Sequence, residues 1–132
     1  MLSALQISAT GLEARRMWMN TIAENIANAE TTADEFNLPN PYRRREPIFR
    51  ADQVGNATGV EVSEVVEDPS PFKIVHNPGH PHADADGNVK MPNVNVVQEM
   101  VDMLMANRSY EANVTAMEAT KSMFGSALRI LA

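Results

Sequence analysis

All three histidines and two aspartates fall in one short run, His76-Asn77-Pro78-Gly79-His80-Pro81-His82-Ala83-Asp84-Ala85-Asp86-Gly87-Asn88. Imidazole nitrogens and carboxylate oxygens at this density are the donor set of zinc and related divalent ions. The Asp84-Ala85-Asp86-Gly87 stretch also has part of the spacing of a calcium loop. Setting Gly87 at the sixth position of such a loop places His82 at the first and Asn93 at the twelfth, where acidic ligands belong. The competing reading is structural. Pro78, Gly79, Pro81 and Gly87 punctuate the run, and Asp-Gly starts a tight bend. The residue types favour the turn, and no cofactor is expected. Metal binding by His76, His80, His82, Asp84 and Asp86 stays open at this point.

A second cluster is basic: Tyr42-Arg43-Arg44-Arg45, with Arg50 nearby. Guanidinium groups in series suit phosphate, an acidic protein surface or lipid headgroups. Glu46 and Asp52 offset the run, and no aromatic platform or reading helix accompanies it, which argues against nucleic acid. Tyr42, Arg43, Arg44 and Arg45 are expected to act as loop contacts to a neighbouring protein. No enzyme constellation is present: there is no Gly-rich phosphate loop, no G-x-S-x-G and no H-E-x-x-H. No carboxylate reads as lying in an apolar setting that would raise its pKa for acid–base work. The absence of cysteine removes disulfides, thiolate metal sites and a thiol nucleophile. The methionines of the C-terminal part (Met100, Met103, Met105, Met117, Met123) fall at helical spacing and read as packing surface, not as a soft-metal site.

The elements that must position these residues follow from composition. The 132 residues are 44% hydrophobic and 21% charged, enough apolar side chain for a folded chain. No apolar run approaches the ~18 residues of a membrane span. The start, MLSALQISATGLEARR, lacks a basic segment followed by an apolar core, which argues against a cleaved secretory signal. All 8 prolines lie between Pro39 and Pro92, and proline breaks helices. The chain therefore divides into an N-terminal helix (residues 1–30), a Pro/Gly-rich segment with a small β lobe (31–92) and a long C-terminal helix (93–132). The formal charge of -6 is concentrated in the middle segment, and an acidic chain is a poor phosphate binder.

Both end segments carry a stripe at alternating steps of 4 and 3. From Met1 it runs Leu5, Ser8, Leu12, Arg15, Met19, Ile22, Ile26 and Ala29. From Val96 it runs Met100, Met103, Asn107, Tyr110, Val114, Met117, Lys121, Phe124, Leu128 and Leu131. Such narrow, long stripes are coiled-coil seams. A helix over 94–131 would extend roughly 57 Å at ~1.5 Å per residue. That exceeds the roughly 30 Å diameter of a compact domain of this size, so the helix must protrude. Pairing Leu5, Leu12, Met19, Ile22 and Ile26 with Met103, Tyr110, Val114, Met117 and Phe124 makes an antiparallel coiled coil within one chain. Ser8, Arg15, Asn107 and Lys121 interrupt the seams and are expected to select one alignment. Between the helices, Val60, Val62, Val65 and Val66 predict one strand, Phe72 and Ile74 a second, and Ile48-Phe49 the start of a third. The fold class expected is mainly α, a coiled-coil-like helix pair with a small irregular β-hairpin lobe between its members.

Two segments resemble a known family. Glu24-Asn25-Ile26-Ala27-Asn28-Ala29-Glu30-Thr31-Thr32 is similar to the N-I-A-N signature of bacterial flagellar axial proteins, those of rod, hook and hook-associated parts. Asn107-Arg108-Ser109-Tyr110-Glu111-Ala112-Asn113 resembles the R-x-Y-E-A-N segment of the same family. Pro41-Tyr42-Arg43-Arg44-Arg45, Ser70-Pro71-Phe72-Lys73, Pro78-Gly79-His80-Pro81 and Met91-Pro92-Asn93-Val94-Asn95-Val96-Val97 narrow the resemblance to proximal-rod members. It implies a non-enzymatic structural subunit of the basal-body rod, exported through the flagellar type III apparatus without signal cleavage and placed in the periplasm. The implied partners are other rod subunits, the export-gate or membrane-ring adaptor, the export apparatus and further copies of the chain, with no nucleic acid and no small-molecule substrate. Interface residues expected from the stripes and these motifs are Leu5, Leu12, Met19, Ile22, Asn25, Ile26, Asn28, Met103, Asn107, Arg108, Tyr110, Glu111, Asn113, Val114, Met117, Phe124 and Leu128. The alternatives are another axial component of the same design and, in a different class, a small His/Asp metal-binding protein.

Overall fold

The computed structural model describes residues 2–55 and 57–131. The elements in chain order are α1 (Leu2–Ala27), β1 (Arg45–Val54), β2 (Ala57–Glu67), β3 (Lys73–His76), β4 (Asn88–Met91) and α2 (Val96–Leu131). The two terminal helices pack against each other, with the strands between them in sequence. Local chemistry sets the helix ends. Asn28 folds back on the last turn of α1, its backbone N–H and its side-chain amide both donating to the Glu24 carbonyl at 3.0 and 2.9 Å. Asn95 caps α2: its side-chain oxygen accepts from the N–H groups of Val97 (3.1 Å) and Gln98 (3.3 Å). The 36 residues of α2 extend roughly 54 Å.

The helices run antiparallel. Gly11 of α1 faces Asn113 of α2, and an added Cβ there would stand 3.0 Å from the Asn113 amide nitrogen. Fourteen residues further along α1, the Asn25 amide donates to Glu99 Oε2 at 3.1 Å. Both pairs define one register, in which Leu2 stands opposite residue 122. The last turns of α2, residues 123–131, therefore run past the described start of α1.

The centre of this seam differs from the expected one. Its buried members are Ala14, Thr21, Ile22 and Asn25 on α1 and Glu99 and Ala106 on α2. Leu5, Leu12, Met19 and Ile26 are half-buried beside it, and Asn107 and Lys121 stand exposed. The expectation that Asn107 and Lys121 interrupt the seam is thus corrected. Small side chains at Gly11, Ala14 and Ala106 let the backbones come close, and a close approach leaves the bulky residues on the flanks. The polar groups that do lie in the seam are Thr21, whose hydroxyl donates to the Met17 carbonyl, and Asn25, Glu99 and Asn113.

The β part between the helices is two two-stranded antiparallel sheets. β1 and β2 form a long antiparallel hairpin from Arg45↔Glu67 to Val54↔Ala57, closed by a two-residue link whose Gly55 has φ 63°. Pro47 is tolerated because both strands are edges. A bulge between Ile48 and Phe49 leaves Ser63 out of the ladder, and its hydroxyl donates to the Ile48 carbonyl at 3.2 Å. The hairpin lies on α1. Val60 N–H donates to Thr10 Oγ1 at 3.2 Å, and Trp18 meets Phe49 edge to face at 6.3 Å with the Arg15 guanidinium over both rings. β4 was not expected. It carries one buried apolar side chain, Val89, and exists through its pairing with β3 across the turn at residues 77–87.

Candidate assembly surface

A polar joint locks the two helices to the middle segment. Asn25 sits at its centre, buried. Its side-chain oxygen accepts from the Arg45 N–H (2.9 Å) and the Tyr42 hydroxyl (3.0 Å), and its amide donates to the Arg45 carbonyl (2.9 Å) and to Glu99. Glu99 is 0% exposed, and its other oxygen accepts from Arg44 Nε at 2.5 Å. Arg44 Nη1 also meets Glu46 and, at 3.5 Å, Asp68, while Nη2 reaches Asp102 at 4.0 Å. The Arg44 backbone N–H donates to Asn93 Oδ1 at 2.8 Å, and the Asn93 amide reaches the carbonyls of Asp68 and Ser70. Eight polar side chains from four distant stretches of sequence thus engage one another. Burial holds the Tyr42 phenol above its ordinary pKa, which keeps its proton available for Asn25.

One carboxylate, Glu99, is fully buried, and a guanidinium and an amide flank it, so it is paired within the chain. The arginine run also makes contacts within the chain. Arg43 donates to the carbonyls of Asp68 and Ser70, both at 3.0 Å, and lies 4.2 Å over the Phe72 ring. Arg44 is the hub of the joint. Only Arg45, exposed and 5.7 Å over Tyr42, presents its guanidinium outward.

Asp68 gives the joint a pH dependence. Hydrogen bonds from the Ser70 hydroxyl and N–H, then the Arg44 charge, hold its carboxyl below the ordinary value of 3.8. A depressed carboxyl adds stability above the unfolded-state pKa and loses it as pH falls through the folded-state value. Ser70→Ala should therefore lower stability near neutral pH and flatten the acid limb. Urea midpoints measured from pH 7 down to pH 2 should show variant and parent converging below about pH 3; a constant offset would sink this assignment.

The histidine run is a turn. Asp84 accepts from the N–H groups of Asp86 (3.0 Å) and Asn88 (2.8 Å), and Gly87 at φ 75° packs against Pro78. His82 Nδ1 pairs with Thr32 Oγ1 at 3.0 Å, and His80 Nδ1 accepts from the His82 N–H. Among the described residues no three His, Cys, Asp or Glu side chains stand together as a metal site.

The exposed apolar surface is extensive. On α2, Val97, Met100, Val101, Leu104 and Met105 face away from α1. Phe124, Leu128 and Leu131 continue the seam's spacing but lie in the turns beyond α1, and Leu131 is 85% exposed. Of the expected interface residues, Ile22 and Asn25 are buried in the helix pair, Met103, Tyr110, Asn113, Val114 and Met117 are half-buried, as is Asn28 at the end of α1, and Asn107, Arg108, Glu111, Phe124 and Leu128 are exposed. A compact monomer of 14.5 kDa exposes about 6,900 Å². This chain exposes 9095 Å². The excess, roughly 2,200 Å², is the scale of an obligate interface. Among the described residues no helix is long and apolar enough to cross a membrane.

An antiparallel pair of terminal helices with bare outer stripes is the architecture of a subunit built to pack side by side, and family comparison gives that class. Residues 5–33 match the profile described as flagella basal body rod protein, and residues 85–130 match that of the flagellar basal body rod FlgEFG protein C-terminal. Similar proteins are the flagellar basal-body rod protein FlgC of Borreliella burgdorferi, 40% identical over 98% of this chain and 96% of the relative, and that of Salmonella typhimurium, 42% identical over 93% and 92%. The Bacillus subtilis protein of the same name is 41% identical over 96% and 95%. The chain belongs to the FlgC family of flagellar basal-body rod proteins, a structural component of the flagellar basal body.

Proposed function

We propose that this chain is a non-catalytic subunit of the proximal rod, on the periplasmic side of the basal body, delivered by the flagellar export apparatus without signal cleavage. Residues 1–30 and 93–132 build the rod core and residues 31–92 form its outer lobe. Neighbouring copies and other rod proteins cover the bare stripes, so that the rod transmits motor torque and surrounds the export channel. The single observation that carries this reading is the excess of exposed surface, which includes apolar stripes on α2. Burying a Leu- or Met-sized side chain is worth roughly 1.5–3 kcal/mol, against ~0–1 kcal/mol for an exposed ion pair. Association is therefore driven by the stripes, and charged groups such as Arg15, Arg16 and Arg108 set alignment. Purified basal bodies from cells whose native copy is replaced by the chain tagged at the β1–β2 link should contain it, and deleting it should abolish motility. A motile deletion strain, or basal bodies without the tagged chain, would overturn the proposal.

A further inference from the structure

The chain has 9 methionines and no cysteine, so the thioether is its softest and most readily oxidised group. Those in the described residues fall into two groups. Met17, Met100, Met105 and Met123 are exposed, at 43%, 58%, 56% and 61%, whereas Met19, Met91, Met103 and Met117 are half-buried. Two of the exposed ones have a particular place. Val97, Val101 and Leu104 form a line along the side of α2 opposite Glu99 and Ala106, which are its buried residues. At 3.6 residues per turn, Met100 and Met105 stand about 140° apart around the helix, one on each flank of that line. Leucine would supply the same apolar contact at both positions. A thioether adds a property that leucine lacks: it takes up oxygen and becomes polar.

We propose that Met100 and Met105 are peroxide-sensitive modification sites whose oxidation withholds the free subunit from assembly. The proposal rests on the rod reading and adds a chemical control to its outward stripe. A sulfur lone pair attacks one oxygen of hydrogen peroxide. The S–O bond forms as the O–O bond breaks, the second oxygen leaves with both protons as water, and sulfur gives up two electrons. The product places a strong hydrogen-bond acceptor on a formerly apolar side chain. In the free chain the sulfoxide faces water, so the fold tolerates it. Covered at a subunit contact without a donor it carries a desolvation cost, and each one weakens that contact about tenfold. Sulfoxide reductases reverse the change: the oxygen leaves as water while a dithiol is oxidised to a disulfide.

Hydrogen peroxide on the purified chain, followed by peptide mass spectrometry, should convert Met100 and Met105 at least threefold faster than the half-buried Met103 and Met117. Equal rates would overturn the assignment of the sites. Cells that carry the chain as their sole copy would then be pulsed with peroxide. The sulfoxide fraction at Met100 and Met105 should be at least tenfold lower in basal bodies than in unassembled chain. Incorporation of the parent should fall at least tenfold under peroxide, while that of Met100→Leu/Met105→Leu stays within twofold of its own untreated level. Met100→Gln/Met105→Gln carries a polar side chain of similar length permanently. It should incorporate at least tenfold less than the parent, with helical circular dichroism unchanged. Equal sulfoxide fractions in assembled and free chain, or a glutamine variant that incorporates like the parent, would overturn the proposal and leave the rod reading standing. Basal bodies of untreated cells without the chain would overturn the rod reading and the proposal with it.

Discussion

Arg44→Met should destabilise the fold by about 3–5 kcal/mol, while Glu99→Gln should cost only about 1–2 kcal/mol, although the two side chains form one pair. The asymmetry comes from the company each keeps. Among the described residues, Arg44 is the cation that pairs with Glu46, Asp68, Glu99 and Asp102. Removing it leaves Glu99, fully buried, as an uncompensated anion beside three further carboxylates. Removing the Glu99 charge leaves Arg44 with three carboxylates still in reach, and a glutamine oxygen can still accept from Asn25. A domain of this size has about 5–15 kcal/mol in all, so Arg44→Met should remove a substantial share of it. The double variant Arg44→Met/Glu99→Met should recover much of the loss, because no charge is then stranded. Urea unfolding followed by helical circular dichroism and by Trp18, the sole tryptophan, measures all three. An equal or larger loss for Glu99→Gln would sink the argument.

The joint was the least legible part of the molecule, and its chemistry explains why. Asn25, Arg44, Asn93 and Glu99 lie far apart in sequence, and each alone has the look of a solvated surface residue. Asn25 was reached only through its place in the N-I-A-N motif. Glu99 could have been found by starting the 4-and-3 stepping of α2 at position 99, which runs on through Met103, Ala106, Tyr110, Asn113 and Met117. That stripe is less apolar than the one beginning at Val96, so hydrophobicity alone points to the wrong face. The helices themselves were plain, because the proline distribution leaves only the two ends free for long helical runs. The long hairpin was half legible: the valines of β2 alternate, whereas β1 holds Pro47, Arg50 and Asp52 and acquires its extended shape from its partner. The outward stripe of α2 was present in the sequence, but which of two apolar stripes faces α1 depends on the close contact at Gly11, a packing fact with no periodic signature.

Leu104→Glu should abolish incorporation into the rod while leaving the free chain's stability within about 0.5 kcal/mol of the parent. Leu104 is 63% exposed and stands with Val97 and Val101 on the side of α2 turned away from α1. Glutamate is as good a helix former as leucine, so α2 loses nothing locally. In the assembled state the same change removes roughly 1.5–3 kcal/mol of apolar burial and adds the desolvation of a carboxylate with no partner. At 1.4 kcal/mol per factor of ten, each subunit contact weakens at least tenfold. A subunit in a helical array makes several contacts at once, so the losses compound and incorporation falls below detection. Leu104→Met, which keeps volume and polarity, should incorporate normally. Motility on soft agar and the amount of chain in isolated basal bodies report the outcome, and urea midpoints of the purified chains show that the fold is intact. If Leu104→Glu assembled and supported swimming, the outward stripe of α2 would not be an interface, and the overhanging turns with Phe124, Leu128 and Leu131 would have to drive assembly alone.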